Sequence, residues 1–246
     1  MVKHILPLLP EHKHYIEPFF GGGAVFFSKE PSQMETINDI SDFVITFFRQ
    51  VKSNFSELKT VIDGTAHSRS EYMRAMSIYK NSMFFPDISK AWAFYIATQM
   101  GSLSHIGSWY SSTTSNRYKC IRRKINNFSK EYAERLAQAQ IECKDAVEVI
   151  KQRDTPDSFF FIDPPYLNSN QGHYNGYTET DYKRLLEALQ TIKGKFLLCG
   201  YPSDMLNTYL AANPTWNTLS FEKHNCGAAF NGNTASKNEI IIKNYL

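Results

Sequence analysis

Cysteine is scarce: Cys120, Cys143, Cys199 and Cys226 are spread along 246 residues, and no two stand in a Cys-x-x-Cys spacing. This argues against a zinc ribbon and against a dense disulfide framework. Histidines occur, His4, His12 and His14 among them, but no His-x-x-x-His pair falls on a helical pattern, so no metal site is expected. Long apolar runs are missing too. None approaches the roughly 20 residues of a membrane span, and the opening Met1-Val2-Lys3-His4-Ile5-Leu6-Pro7 has too short an apolar segment for a signal peptide. The expectation is a cytoplasmic, monomeric protein without a membrane partner. Excess charge is small: 27 Lys and Arg against 24 Asp and Glu leave a formal +3, so affinity for a polyanion has to come from local clustering. Neither a spaced Gly-x-Gly-x-x-Gly nor a Pro-Cys nucleophile is present. What is present is apolar material, 42% of residues, enough for a full core in one domain, or one domain with a sizeable insertion.

The most informative stretch is Phe159-Phe160-Phe161-Ile162-Asp163-Pro164-Pro165-Tyr166, an apolar run that reads as a buried strand and then stops. Proline has no N–H and restricts the residue before it, so Pro164-Pro165 forms a stiff, extended corner that holds Asp163 and Tyr166. Open parallel sheets bind ligands beyond the carboxyl ends of their strands. An acid, a fixed carbonyl and an aromatic ring there suit a flat substrate bearing an amine. The Asp163 carboxylate and the Pro164 carbonyl would accept its two N–H groups and help localise a conjugated lone pair, while Tyr166 stacks on the ring. A strand ending in an ordinary proline turn is the plainer reading.

Upstream, Tyr15-Ile16 leads through Glu17-Pro18-Phe19 into Gly21-Gly22-Gly23 and then Ala24-Val25-Phe26-Phe27, which predicts strand, tight loop and helix. Glycines let the backbone approach a ligand closely, although three in a row can equally be a simple turn. Asp39 follows Gly21 by 18 residues, at the end of a second short strand pattern. A carboxylate about 20 residues past such a loop is where ribose hydroxyls are held in nucleoside-binding sheets.

Asp42 to Lys52 carries Phe43, Val44, Phe47, Phe48 and Val51 at helical spacing, predicting an amphipathic helix over one sheet face. Helical patterns follow at Ser56–Ile62, Ser70–Tyr79 and Lys90–Met100, and strand–helix alternation returns only at Ile141. Residues 53–137 therefore read as a helical insertion in a domain made of 1–52 and 138–246. Between Asp87 and Glu131 there is no acid, while Lys90, Arg117, Lys119, Arg122, Arg123, Lys124 and Lys130 supply seven positive charges. Gly107 to Tyr118 within this segment reads as a polar loop or hairpin carrying aromatics. Tyr110, Ser112, Asn116, Arg117, Lys119, Arg122, Arg123 and Lys124 are the candidate nucleic-acid contacts, through phosphates, base edges or the gap left by a displaced base. A solvated basic loop is the other reading.

After Ile141, Asp145-Ala146 opens a helix, and Asp145 serves either a ligand or the helix end as its N-cap. Leu167 to Tyr177 is too polar and Gly-rich for core and could close over substrate. A helix over Thr180–Ile192, a strand at Lys195–Cys199, a helix over Ser203–Ala212 and β-rich segments at Trp216–Phe221 and Glu239–Asn244 complete the chain.

Taken together, Asp163-Pro164-Pro165-Tyr166, the loop Glu17-Pro18-Phe19-Phe20-Gly21-Gly22-Gly23 and Ile37-Asn38-Asp39-Ile40 resemble, in motif and order, the Dam-like class of DNA adenine methyltransferases. The resemblance implies an α/β, Rossmann-like methyltransferase sheet, mostly parallel with an antiparallel end, plus an inserted, mainly helical target-recognition domain. It implies S-adenosylmethionine as cofactor and methyl transfer to adenine N6 in double-stranded DNA by base flipping. Asp163, Pro164, Pro165 and Tyr166 would be catalytic. Glu17, Pro18, Phe19, Gly21, Gly22, Gly23, Asp39, Ile40, Asp145, Ala146 and Asp163 would bind the cofactor, with Asp145 facing its adenine amine. The class also carries an aromatic-x-Gly-Gly-Lys segment before the first strand, and Met1 falls too late to include it. The matching expectation is cofactor affinity on the order of tens to a thousand times poorer than in a relative that has the segment. The alternative it leaves is a catalytically impaired DNA-binding protein on a methyltransferase scaffold.

Overall fold

A computed structural model describes residues 2–101, 106–109, 117–166, 176–223 and 237–246. Its strands are β1 (His14–Glu17), β2 (Met34–Asn38), β3 (Gln140–Glu142), β4 (Ser158–Ile162), β5 (Lys195–Gly200), β6 (Asn217–Lys223) and β7 (Lys237–Lys243). They form one seven-stranded sheet in the order β3-β2-β1-β4-β5-β7-β6. β1 runs parallel to β2 and β4, and β4 parallel to β5, whereas β7 is antiparallel to both β5 and β6. The α/β sheet is thus mostly parallel with an antiparallel end. The helices are α1 (Val2–Ile5), α2 (Asp42–Ser53), α3 (Phe55–Asp63), α4 (Arg69–Lys80), α5 (Asp87–Met100), α6 (Arg117–Asn127), α7 (Glu131–Leu136), α8 (Ala146–Arg153), α9 (Glu179–Leu189) and α10 (Asp204–Ala212).

The central parallel strands are buried on both faces, β4 with an apolar run and β1 with His14 and Glu17 among its buried residues. All five residues of β4 are buried, and so are all four of β1. Ile16, Phe160, Ile162, Phe196 and Leu198 pack with Val147 and Ile150 of α8, Leu185, Leu186 and Leu189 of α9, and Ile240 and Ile242 of β7. The helix N-termini are capped as their sequences dictate: Thr178 and Asp181 form a reciprocal capping box on α9, and Ser203 accepts from the Leu206 N–H on α10.

Two local expectations need correction. Sequence patterning predicts a helix behind the glycine loop, but residues 24–28 form successive turns, with the Phe27 N–H on the Gly23 carbonyl at 2.9 Å and the Ser28 N–H on the Val25 carbonyl at 3.0 Å. Pro31 follows too soon for a regular helix, since the residue before a proline is steered to extended backbone. Conversely, residues 117–127, part of which reads as polar loop, form α6. Among its described side chains the buried stripe is Ile121 and Ile125, continued by Phe128, and the dense Arg, Lys and Asn around it mask the helical period.

The chain divides into two compact units, one of Met1–Ile40, Lys144–Ser169 and Gly176–Leu246, the other of Ser41–Cys143. The helical unit therefore begins before residue 53 and takes in α2. The reason is aromatic packing: the Phe47 ring lies 5.8 Å from Tyr95 of α5 and 5.9 Å from Phe128, and Phe43 stacks on Tyr79 at 4.1 Å. No helix is long and apolar enough to cross a membrane, and no cluster of His, Cys, Asp or Glu could hold a metal, both among the described residues.

In the sheet unit a buried ion pair fixes the turns after the glycine loop. The Lys29 ammonium donates to Glu35 on β2 at 2.6 Å, to Ser32 Oγ at 2.8 Å and to the Glu30 carbonyl at 2.7 Å. Breaking a buried pair by removing one partner strands the other charge. Lys29→Met should therefore cost about 3–5 kcal/mol in urea unfolding, and adding Glu35→Leu should recover most of it. An equal loss in the double variant would assign the cost to packing instead.

Candidate active site

The parallel strands deliver their carboxyl ends to one edge of the sheet, and a single buried amide ties three of the exits together. Asn38, at the end of β2, donates from Nδ2 to the Pro18 carbonyl at 2.9 Å and the Lys144 carbonyl at 3.0 Å, while its Oδ1 accepts the Lys144 N–H at 2.9 Å. The segments leaving β1 and β3 are thereby held against β2. The Phe20 N–H then donates to the Asn38 carbonyl at 2.8 Å, and the Gly21 N–H to Asp39 Oδ2 at 2.8 Å. Asp39 is buried at 2% exposure, and Ile40 beside it stands 66% exposed, an apolar face next to a fixed carboxylate.

The glycines are used differently. Gly21 and Gly23 have φ of 48° and 63°, and a Cβ at Gly23 would meet the Phe20 ring at 2.4 Å. A Cβ at Gly22 would meet nothing within 4 Å. The loop therefore needs glycine at Gly23 for packing, and at Gly22 presents bare backbone that a ligand can approach. This is the observation that fits a nucleoside-bearing cofactor, with the Asp39 carboxylate held beside the same loop.

Glu17 ends β1 fully buried, its Oε2 accepting the Tyr15 hydroxyl at 2.8 Å. Burial raises its carboxyl to about 8, against the Tyr15 hydrogen bond, and the negative charge of Asp163 acts in the same direction as burial. Asp163 and Tyr166 are half-buried at the proline corner, and the Tyr166 hydroxyl donates to Asp163 Oδ1 at 2.8 Å. Burial, then the Asp163 charge, pushes the Tyr166 hydroxyl far up, so it stays a donor. An ionised carboxylate offers about four lone-pair sites, so Asp163 keeps capacity for an amine hydrogen. The Tyr166 ring centroid lies 4.7 Å from that of Tyr201, whose hydroxyl donates to buried Glu239 at 3.2 Å.

Asp145 caps α8, its Oδ1 accepting the N–H groups of Val147 at 3.1 Å and Glu148 at 3.2 Å, and it pairs with Arg184 at 3.3 Å. Of the two readings open from sequence, the cap is observed. Ala146, the first residue of α8, is buried. Tyr177, just before α9, sets its ring edge-on to Phe19 at 5.9 Å.

The residues expected for catalysis and cofactor binding all fall in the sheet unit. Those expected for DNA fall in the helical unit. Tyr110, Ser112 and Asn116 lie outside the described residues, as do residues 167–175 of the Leu167–Tyr177 segment that was expected to close over substrate. Arg117 heads α6, and Lys119, Arg123 and Lys124 are exposed along it. Arg122 is turned elsewhere: its guanidinium donates to the Asp63 carbonyl at the end of α3, at 3.3 Å. Tyr201, Glu239 and Arg184 were not among the residues the sequence singled out, and Tyr15 and Asn38 stood in the motif stretches without a role of their own. Only Tyr15 left a signal, standing two residues before Glu17 and so on the same face of β1.

The sequence profile of the family described as D12 class N6 adenine-specific DNA methyltransferase matches residues 1–220. A type II methyltransferase, M1.LlaDCHI of Lactococcus lactis subsp. cremoris, is 25% identical over 265 residues, covering 100% of this chain and 91% of that protein. The DNA N-6-adenine-methyltransferase of Escherichia phage P1 is 25% identical over 191 residues, which is 74% of this chain but 25% of the phage protein. Among solved structures, an rRNA methylase from Streptococcus thermophilus aligns over 100% of this chain and 94% of its own, at 7% identity and a TM-score of 0.41.

The raised Glu17 carboxyl has a consequence for stability. Between its ordinary value of 4.5 and about 8, the folded chain holds a proton that the unfolded chain has released. Stability must then fall as pH rises through that window and level off above it. Wild type should lose on the order of 4 kcal/mol relative to Glu17→Gln across the window. Urea unfolding of both chains from about pH 4 to about pH 9 measures this, and parallel curves would contradict a neutral Glu17.

Proposed function

We propose, from the premise that the chain belongs to the D12 class of N6 adenine-specific DNA methyltransferases, that the corner after β4 holds the target amine and the loop after β1 holds the methyl donor. The activity is methylation of adenine N6 in DNA, and the impaired-scaffold alternative is not favoured. The type II name of the lactococcal relative fits a restriction–modification setting.

S-adenosylmethionine, the cofactor the family implies, supplies when bound a methyl group on a positively charged sulfur. On our reading Asp39 takes ribose hydroxyls, and Glu17, Pro18, Phe19, Gly21, Gly22 and Gly23 line the donor's path. Ile40, Asp145 and Ala146 flank its base. Asp163 and the Pro164 carbonyl accept the two N–H groups of the target amine, which orients its lone pair, and Asp163 also stands where the proton lost from N6 can go. Pro165 keeps the corner rigid, and Tyr166 stacks on the target ring, its own tilt fixed by Asp163 and Tyr201. In duplex DNA the amine is inaccessible within the stack, so the base must be extruded to reach this corner.

The observation that carries the assignment is the 2.8 Å bond between Tyr166 and Asp163 at the carboxyl end of a buried strand. It presents an acceptor and a flat ring together on backbone that prolines make stiff. Asp163→Ala should reduce turnover by more than about a hundredfold while leaving the unfolding midpoint near that of wild type. Turnover close to wild type in the folded variant would place the chemistry elsewhere.

We assign target recognition to the helical unit, with Tyr110, Ser112, Asn116, Arg117, Lys119, Arg122, Arg123 and Lys124 as the DNA-facing set. Within it Arg122 doubles as the C-terminal partner of α3, and its exposed neighbour Arg123 has the simpler role. Arg123→Ala should weaken duplex binding and flatten its salt dependence by about one unit of slope, in fluorescence anisotropy at several salt concentrations. Arg122→Ala should in addition lower stability, by about 1 kcal/mol. An Arg123→Ala chain with unchanged affinity and slope would move the DNA surface off α6.

A further inference from the structure

Tyr177 is a residue to which the reaction as described above gives no task. Its backbone is fixed by the capping box that follows it: the Thr178 N–H donates to Asp181 Oδ2 at 2.9 Å, and the Asp181 N–H to Thr178 Oγ1 at 3.2 Å. Its ring meets Phe19 at right angles, 89° between planes, and both rings pack against the cluster formed by β1, β4, α8 and α9. Phe19 belongs to the loop between β1 and Gly21. Tyr177 and Phe19 thus make an aromatic corner beside that loop.

The hydroxyl of Tyr177 is buried and, among the described residues, has no hydrogen-bond partner. That is uncommon, because the polar end of a buried tyrosine normally finds one. Its charged surroundings are Asp181, Asp145 and Arg184. Burial first, then neighbouring Tyr182 and the carboxylates of Asp181 and Asp145, keep the phenol protonated against the opposing effect of Arg184, so the unpaired group is a donor in search of an acceptor. Asp145, held by its cap bonds and by Arg184, is an acceptor. An aromatic corner with one fixed donor and one fixed acceptor is complementary to a flat heteroaromatic ring that carries an acceptor nitrogen and an amine.

We propose that Tyr177 is a specificity-determining residue for the methyl donor, its ring forming with Phe19 an edge for the donor's adenine and its hydroxyl donating to a nitrogen of that ring. This rests on the reading of the β1 loop as the donor site. It adds a hydrogen bond that depends on the identity of the donor's base, where Asp39 answers only to the sugar. A single trapped water is the competing occupant, and it is an outcome of the test.

The test is isothermal titration of S-adenosylhomocysteine, and of its 1-deaza, 3-deaza and 7-deaza analogues, into wild type, Tyr177→Phe and Asp39→Asn. Tyr177→Phe should bind S-adenosylhomocysteine about tenfold more weakly, the loss of one hydrogen bond. One deaza analogue should bind wild type about tenfold more weakly than the parent compound, yet bind Tyr177→Phe no worse than the parent does, the signature of a coupled pair. Thermal unfolding of ligand-free Tyr177→Phe should match or exceed wild type, because the hydroxyl removed had no partner to lose. Equal affinity of Tyr177→Phe and wild type overturns the proposal. So does equal loss with every analogue in both chains, which would mean that the hydroxyl serves a water. So does clear destabilisation of the ligand-free variant. Asp39→Asn separates the two levels: if it binds S-adenosylhomocysteine as tightly as wild type, the donor-site reading itself falls, and this inference with it.

Discussion

The buried amide of Asn38 is the interaction on which the rest of the site depends. A primary amide without solvent is costly unless its donors and acceptor are all used, and here three bonds at 2.9–3.0 Å join the exits of β1, β2 and β3. With Pro18 and Lys144 pinned, the glycine loop can turn only toward Asp39, and the N-cap of α8 begins at a fixed point. β4 adds the fourth exit, rigid for another reason, its two prolines. The position of every candidate side chain in the sheet unit follows from a backbone that has little freedom.

Electrostatics sets what those side chains can do. Glu17 and Asp163 end neighbouring parallel strands, and burial together with Asp163's charge keeps Glu17 neutral. The other carboxyl at the corner, Asp163, is the one that Tyr166 orients. Tyr166 in turn leans on Tyr201, which is anchored to Glu239 on β7. The antiparallel end of the sheet, through Glu239 and Tyr201, buttresses the aromatic ring.

Much of this was legible in the chain. The buried strand into Asp-Pro-Pro-Tyr, the glycine loop, the acid 18 residues on, and the helices at residues 42–53 and 179–189 are local patterns, and local patterns survive without a partner to explain them. What escaped was long-range or masked by composition. Asn38 is joined to Lys144 across 106 residues, and Tyr201 to Glu239 across 38, separations that leave no periodic trace. In α6 the charged and amide residues that make it a candidate DNA surface also hide its helical stripe, and Arg122 is indistinguishable from Arg123 until its carbonyl partner on α3 is seen. The helix expected after Gly23 fails because Pro31 closes the segment, a boundary effect weaker than the apolar run that suggested it.

Everything at this site turns on methyl transfer to an adenine amine, and the product nucleoside reports on that step without an intermediary. Purified protein would be incubated with duplex DNA and S-adenosylmethionine carrying a trideuterated methyl group, and the DNA digested to nucleosides for mass spectrometry. Label is expected in N6-methyl-2′-deoxyadenosine alone and only when the protein is present. Label on cytosine, or none above a protein-free control, would contradict methyl transfer to adenine.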